Sequence, residues 1–157
     1  MEYHPKSPKG RILALDLGKK RIGLALSDPL GITAQGLPTL QRTRIREDLA
    51  ALAALIEERE VTLILMGHPL HMSGAESRQA AYTREFAERL GRLTGKEIKL
   101  WDERLTTVEA QRVLRQSGIG IEKRARAVDQ LAAVILLESY LDSNVAFNVD
   151  ASLEMQE

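Results

Sequence analysis

Residues 12–26 read ILALDLGKKRIGLAL: an apolar run holding one aspartate, a turn through Gly18-Lys19-Lys20-Arg21, then a second apolar run. The runs at 11–16 and 21–27 predict two strands joined by a tight turn at Gly18-Lys19, a β-hairpin. Asp16 is out of place in it. A carboxylate in such a run is costly unless it is paired or binds a metal, so the rest of the chain must supply its partner.

Outward from the hairpin, a third strand falls within 32–40, ITAQGLPTL, although Gly36 and Pro38 oppose it. Helical periodicity follows over 44–59, where Ile45, Leu49, Leu52 and Ile56 share one face. VTLILM at 61–66 is continuously apolar, the pattern of a strand covered on both sides. A loop, GHPLHMSGAES, precedes a helix over 76–93 whose buried face carries Tyr82, Phe86 and Leu90. EIKLW at 97–101 is a further strand. Thr106 and Glu109 form a capping box for a helix ending near Gly118. The last helix, 125–142, is apolar nearly all round and therefore expected to be buried. The order β-β-β-α-β-α-β-α-α predicts an α/β fold, a mixed sheet with helices on both faces.

The 157 residues suit one domain, with a flexible tail at 1–10, the domain at 11–142 and an acidic tail at 143–157. Apolar residues at 44% and charged residues at 28% indicate a globular chain rather than a disordered one. Lys+Arg and Asp+Glu both number 22, so net charge names no partner. Distribution says more. Residues 1–24 carry six bases against Glu2 and Asp16, and residues 112–126 carry five against Glu122. Two basic stretches of this kind suit a phosphate-facing surface, and equally the solvated faces of an ordinary protein. The absence of cysteine excludes disulfides, thiolate zinc sites and cysteine nucleophiles. With no signal-like segment and no long apolar run, the expectation is a cytoplasmic protein without membrane contact.

Three acids sit where acids are awkward: Asp16, the Asp102-Glu103 pair ending EIKLW, and Asp129 in the apolar final helix. Singly, each has an ordinary role, in a turn, a strand end or a helix N-terminus. Together they are what a hard divalent cation requires, since Mg²⁺ takes oxygen ligands. Two such ions about 3.5–4 Å apart activate water and stabilise the leaving oxygen in phosphodiester hydrolysis. Strand alternation sets Ile98, Leu100 and Asp102 on one face and Trp101 and Glu103 on the other, without saying which faces Asp16.

The segments ALDLGKKRIGLALSD, MGHPLHMSG, DERLTTVEA and KRARAVDQLAAVILLESYLD together resemble the YqgF (RuvX) family, from about Arg11 to Asp142. The resemblance implies a ribonuclease H-like fold, a five-stranded mixed sheet flanked by helices. It also implies a nuclease acting on the 5′ end of pre-16S ribosomal RNA or on Holliday junctions. The implied acidic triad is Asp16, Glu103 and Asp129, serving as catalytic residues and as ligands to Mg²⁺ or Mn²⁺, with two ions. His68 departs from the leucine expected in its loop. Lys19, Lys20, Arg21, Thr106, Thr107, Lys123, Arg124 and Arg126 are candidate contacts to nucleic acid, either RNA or branched DNA. The oligomeric state stays open between monomer and homodimer.

Two rival readings are weaker. LDLGKKRIG also resembles the phosphate-binding hairpin of the actin, Hsp70 and sugar-kinase group, but the chain lacks room for their duplicated domain. Related domains also serve as non-catalytic nucleic-acid-binding modules that can lose their acids, whereas all three acids are present here. His68 and His71 have no third ligand at metal spacing, and Gly18 and Gly23 do not form a dinucleotide fingerprint.

Overall fold

The computed structural model describes residues 10–68, 77–102 and 121–154, with the side chains of the last helix described over 127–143. Three strands open the chain: β1 (Arg11–Leu17), β2 (Arg21–Ser27) and β3 (Ala34–Gln41). Then come α1 (Ile45–Glu58), β4 (Val61–His68), α2 (Arg78–Thr94), β5 (Glu97–Asp102) and α3 (Ile121–Glu154). The five strands form one sheet in the order β3-β2-β1-β4-β5. β1–β2 and β2–β3 are antiparallel, whereas β1–β4 and β4–β5 are parallel. The mixed sheet expected from the sequence is present. The helix expected from Thr106 to Gly118 lies outside the described residues.

The hairpin strands are apolar on both faces because both are covered. Leu13, Leu15, Leu17, Ile22, Leu24 and Leu26 pack with Leu49, Leu52 and Ile56 of α1 and Phe86 and Leu90 of α2. On the other side Ala14, Ala25 and Leu65 pack against Ala133, Leu136, Leu137, Tyr140 and Leu141 of α3. Each fully buried leucine there contributes about 1.5–3 kcal/mol.

Small residues set how closely α3 approaches. Gly23, Ala25 and Ala14 line its seat, and a Cβ on Gly36 would come within 2.8 Å of the Gln130 side chain. Gln130 uses that space to donate from Nε2 to the Leu37 carbonyl at 2.9 Å.

The third strand forms as expected, and β4 and α3 run longer than the sequence predicts. β3 forms despite Gly36 and Pro38, because it is an edge strand. Its register with β2 shifts between Ile22 and Leu24, so that Pro38 and Thr39 together oppose the single residue Gly23. β4 runs on through Gly67 and His68. α3 extends past Asp142 to Glu154 because residues 143–154 contain neither proline nor glycine to stop it. No helix of the described residues is long and apolar enough to cross a membrane.

Candidate active site

β1, β4 and β5 all finish at one end of the sheet, where β2 begins, and of the sequence-predicted acids Asp16, Asp102 and Asp129 lie toward this end. Asp16 is the penultimate residue of β1 and stands directly opposite Gly23 of β2. Paired residues of an antiparallel ladder point to the same face. For this pair the face is the one under α3, because Ile12 and Ala14 of β1 and Ala25 of β2 all pack there.

Gly23 has no side chain, and the backbone of α3 takes up the vacant space. A Cβ at Gly23 would overlap the Asp129 carbonyl oxygen and lie 2.6 Å from its carbonyl carbon. Asp129 therefore rides directly above the residue paired with Asp16. The helix and the hairpin bring the two carboxylates to one end of one face.

Arg21 joins them. Its Nε donates to Asp129 Oδ2 at 2.8 Å, and the two side chains keep only 21% and 23% of their surface exposed. Arg21, a candidate nucleic-acid contact from the sequence, places its guanidinium on Asp129. Lys19 and Lys20 are exposed on the turn beside it.

The turn is anchored from behind by Arg42, a residue the sequence reading passed over. Gly18 N–H closes the turn onto the Arg21 carbonyl at 3.0 Å. Arg42 Nη1 donates to the Gly18 carbonyl at 2.9 Å, and its backbone N–H donates to the Lys20 carbonyl at 2.9 Å. The other arms of the guanidinium reach Asp48 Oδ2 of α1 at 3.1 Å and the Tyr82 hydroxyl of α2 at 2.6 Å. The guanidinium carbon also lies 5.5 Å from the Tyr82 ring centroid and 5.7 Å from that of Phe86. One side chain thus ties both helices of the opposite layer to the turn that follows Asp16. Asp48, with 1% of its side chain exposed, is satisfied by Arg42 and by the Thr43 N–H at 3.0 Å.

At the neighbouring strand ends, His68 of β4 is half-buried and in register with Asp102 of β5. Ile98 and Leu100 pack on the α1–α2 side. Trp101 packs on α3, meeting Tyr140 edge-on at 5.2 Å between ring centroids and donating from Nε1 to Ser139 Oγ at 3.3 Å. Alternation therefore directs Asp102 away from the face that carries Asp16. Glu103, Thr106 and Thr107 lie outside the described residues. Lys123, Arg124 and Arg126 fall in the first turns of α3, at residues whose side chains are outside the description.

Gly23 was also missed as a site residue. A glycine inside a strand signals a bulge or a close backbone approach, and here it is both. Arg42 had no comparable signal, since its partners come from three separate elements.

Similar proteins agree with this architecture. The chain is 54% identical over 138 residues to a protein of Koribacter versatilis (strain Ellin345) named "Putative pre-16S rRNA nuclease", covering 88% of this chain and 90% of that one. A protein of the same name from Myxococcus xanthus (strain DK1622) is 46% identical over 134 residues, covering 85% and 89%. Among solved structures, T. thermophilus RuvC in complex with Holliday junction substrate superposes with a TM-score of 0.55 at 10% identity, covering 87% of this chain and 96% of that one. The Fowlpox virus resolvase in complex with Holliday junction DNA gives 0.54 at 13% identity, covering 85% and 97%. These two share the fold. Residues 10–143 match the family described as RuvX, Holliday junction resolvase, and the chain belongs to that family.

Proposed function

We propose that this protein is a divalent-metal-dependent nuclease that hydrolyses phosphodiester bonds in structured nucleic acid, with the 5′ end of pre-16S rRNA in the cytoplasm as its substrate. The observation that carries the reading is the seating of Asp129 over Gly23, the ladder partner of Asp16. Two carboxylates from distant parts of the chain are directed to one end of one face, beside an exposed Lys19-Lys20 turn. The names of similar relatives supply the substrate.

The donors suit a hard cation, being carboxylate oxygens without sulfur. Among the described residues no three candidate ligands gather for a metal; the resemblance to the family gives the third place to Glu103. Alternation supports that choice, because Trp101 shares the Asp16 face and the next residue of that parity is 103. Asp16, Glu103 and Asp129 would hold Mg²⁺ or Mn²⁺, which supplies an activated water and stabilises the leaving oxygen. Arg21 fixes the rotamer of Asp129, and the Arg42-anchored turn fixes the end of β1. Lys19 and Lys20 neutralise passing phosphates, joined by Lys123, Arg124 and Arg126 at the start of α3. Thr106 and Thr107, expected from the sequence to start a helix, would hydrogen-bond a phosphate.

The family description favours a second reading, resolution of Holliday junctions. One panel separates them: wild type, Asp16→Asn, Glu103→Gln and Asp102→Asn with Mg²⁺ or Mn²⁺ on pre-16S RNA and on a four-way DNA junction. Asp16→Asn and Glu103→Gln are expected to lose cleavage almost completely, and Asp102→Asn to keep a substantial fraction. Normal cleavage by Asp16→Asn would refute the site. Cleavage of the junction alone would move the substrate to DNA.

A further inference from the structure

The cations between Gln41 and Gly95 are all arginine: eight, with no lysine. Three of them, Arg46 of α1 and Arg89 and Arg92 of α2, line a groove of about 500 Å³ between the two helices, on the face away from α3. Its floor is Leu49 and Ala50, and its wall is Leu93, which is 57% exposed. Arg21 and Arg42 are held by Asp129 and Asp48, but no carboxylate among the described residues pairs with these three. The groove's upper end begins where α1 leaves the candidate site. Arg42 N–H bonds the Lys20 carbonyl, exposed Arg44 follows, and Arg46 lies in the first turn of α1. At the far end Leu93 borders a second cavity, whose lining mixes Glu57 and Glu60 with Lys96.

We propose that the α1–α2 groove is a second contact for the phosphodiester backbone of the substrate, remote from the scissile bond. Guanidinium forks match phosphate oxygens bidentately, and the apolar floor suits the sugar edge of a strand. An acidic protein surface would satisfy the same charge. Continuity with the Lys19-Lys20 turn favours instead one polymer long enough to touch both. The proposal rests on the nuclease reading and extends it to substrate length.

The test compares two labelled RNAs, one spanning only the cleavage site and the same sequence extended on both sides. The proteins are wild type, the triple variant Arg46→Ala/Arg89→Ala/Arg92→Ala and the matching triple lysine variant, all checked for equal melting temperature. Removing three phosphate contacts should flatten the slope of log affinity against log salt by about two to three units on the extended RNA and leave the short RNA unchanged. The lysine variant, which keeps the charges, should retain the wild-type slope. A wild-type slope for the alanine variant on extended RNA would overturn the proposal and hand the groove to an acidic protein. Asp16→Asn, run alongside, should bind the extended RNA with the full slope without cutting it. Cleavage by that variant would sink the nuclease site without touching the groove.

Discussion

Substituting alanine at Gly23 adds one carbon where the structure has no room for it. That carbon would overlap the Asp129 carbonyl oxygen and sit 2.6 Å from its carbonyl carbon. Carbon atoms pack at about 3.5–4.0 Å, so α3 must lift from the sheet by about 1 Å at this turn. The neighbour is helix backbone rather than the end of a flexible side chain, so local repacking gives little relief. The buried residues that follow, Ala132, Ala133, Leu136 and Leu137, are carried by the same helix and resist the shift. Overpacking of this kind costs about 1–3 kcal/mol, and the backbone contact places Gly23→Ala toward the upper figure.

The consequence for activity follows from geometry. Asp129 would move away from Asp16, and a misplacement of about 1 Å at a reacting centre costs on the order of 10²-fold in rate. Urea denaturation should show a lower midpoint with an unchanged m-value. Cleavage of pre-16S RNA under conditions where the variant remains folded should fall far more than folded protein does. Metal titration by calorimetry should show weaker binding without any ligand having been changed. Wild-type stability together with wild-type cleavage in Gly23→Ala would refute the claim that this contact sets the separation of the acids.

Arg42→Met should cost about 3–5 kcal/mol in urea denaturation, because it strands buried Asp48 and frees the Gly18 carbonyl; an unchanged midpoint would show the anchor to be idle. Arg21→Gln removes the cation from Asp129 and should tighten Mg²⁺ binding several-fold by calorimetry while lowering cleavage; equal metal affinity would mean the ion pair does not compete with metal. Asp28 accepts from the N–H groups of Thr33, Ile32 and Leu30, and the Thr33 bond above all holds its carboxyl below the ordinary aspartate value of 3.8. Its contribution to the 28–33 loop is therefore complete above that ordinary value and lost as pH falls through the lowered one. NMR shifts of those amides should report the loss in acid, and Asp28→Ala should reproduce it at neutral pH.

The hairpin was legible because its two runs are apolar on both faces and its turn is polar. The edge strand was half legible: Gly36 and Pro38 speak against a strand, and only the sheet order shows that they stand at its edge beside a bulge. The far end of α3 was not legible from charge, since an acidic, base-free segment reads as a tail while holding no residue that stops a helix. Asp16 and Asp129 announced themselves, each being a carboxylate in an apolar stretch. What joins them did not, because the contact runs through a backbone carbonyl that has no letter in the sequence.

The choice between Asp102 and Glu103 shows where periodicity stops. Alternation in EIKLWDE assigns neighbours to opposite faces but cannot say which face belongs to which layer, since a doubly covered sheet buries both. A single observation converts the relative statement into an absolute one: Trp101 lies edge-on to Tyr140 of α3. Residues of the same parity as Trp101 then belong to the α3 side, where Asp16 opposes Gly23, and residues of the same parity as Leu100 belong to the side of α1 and α2. The large aromatic chooses its side because α3 offers a buried ring and a Ser139 acceptor for the indole N–H, whereas the other side is filled by Phe86 and leucines. If the alternation carries on past Asp102, the parity of Trp101 would give position 103, proposed above as the third ligand, to the α3 side. Replacing Trp101 with a small residue should weaken cleavage through the position of Glu103 while leaving the hairpin and its Arg42 anchor intact.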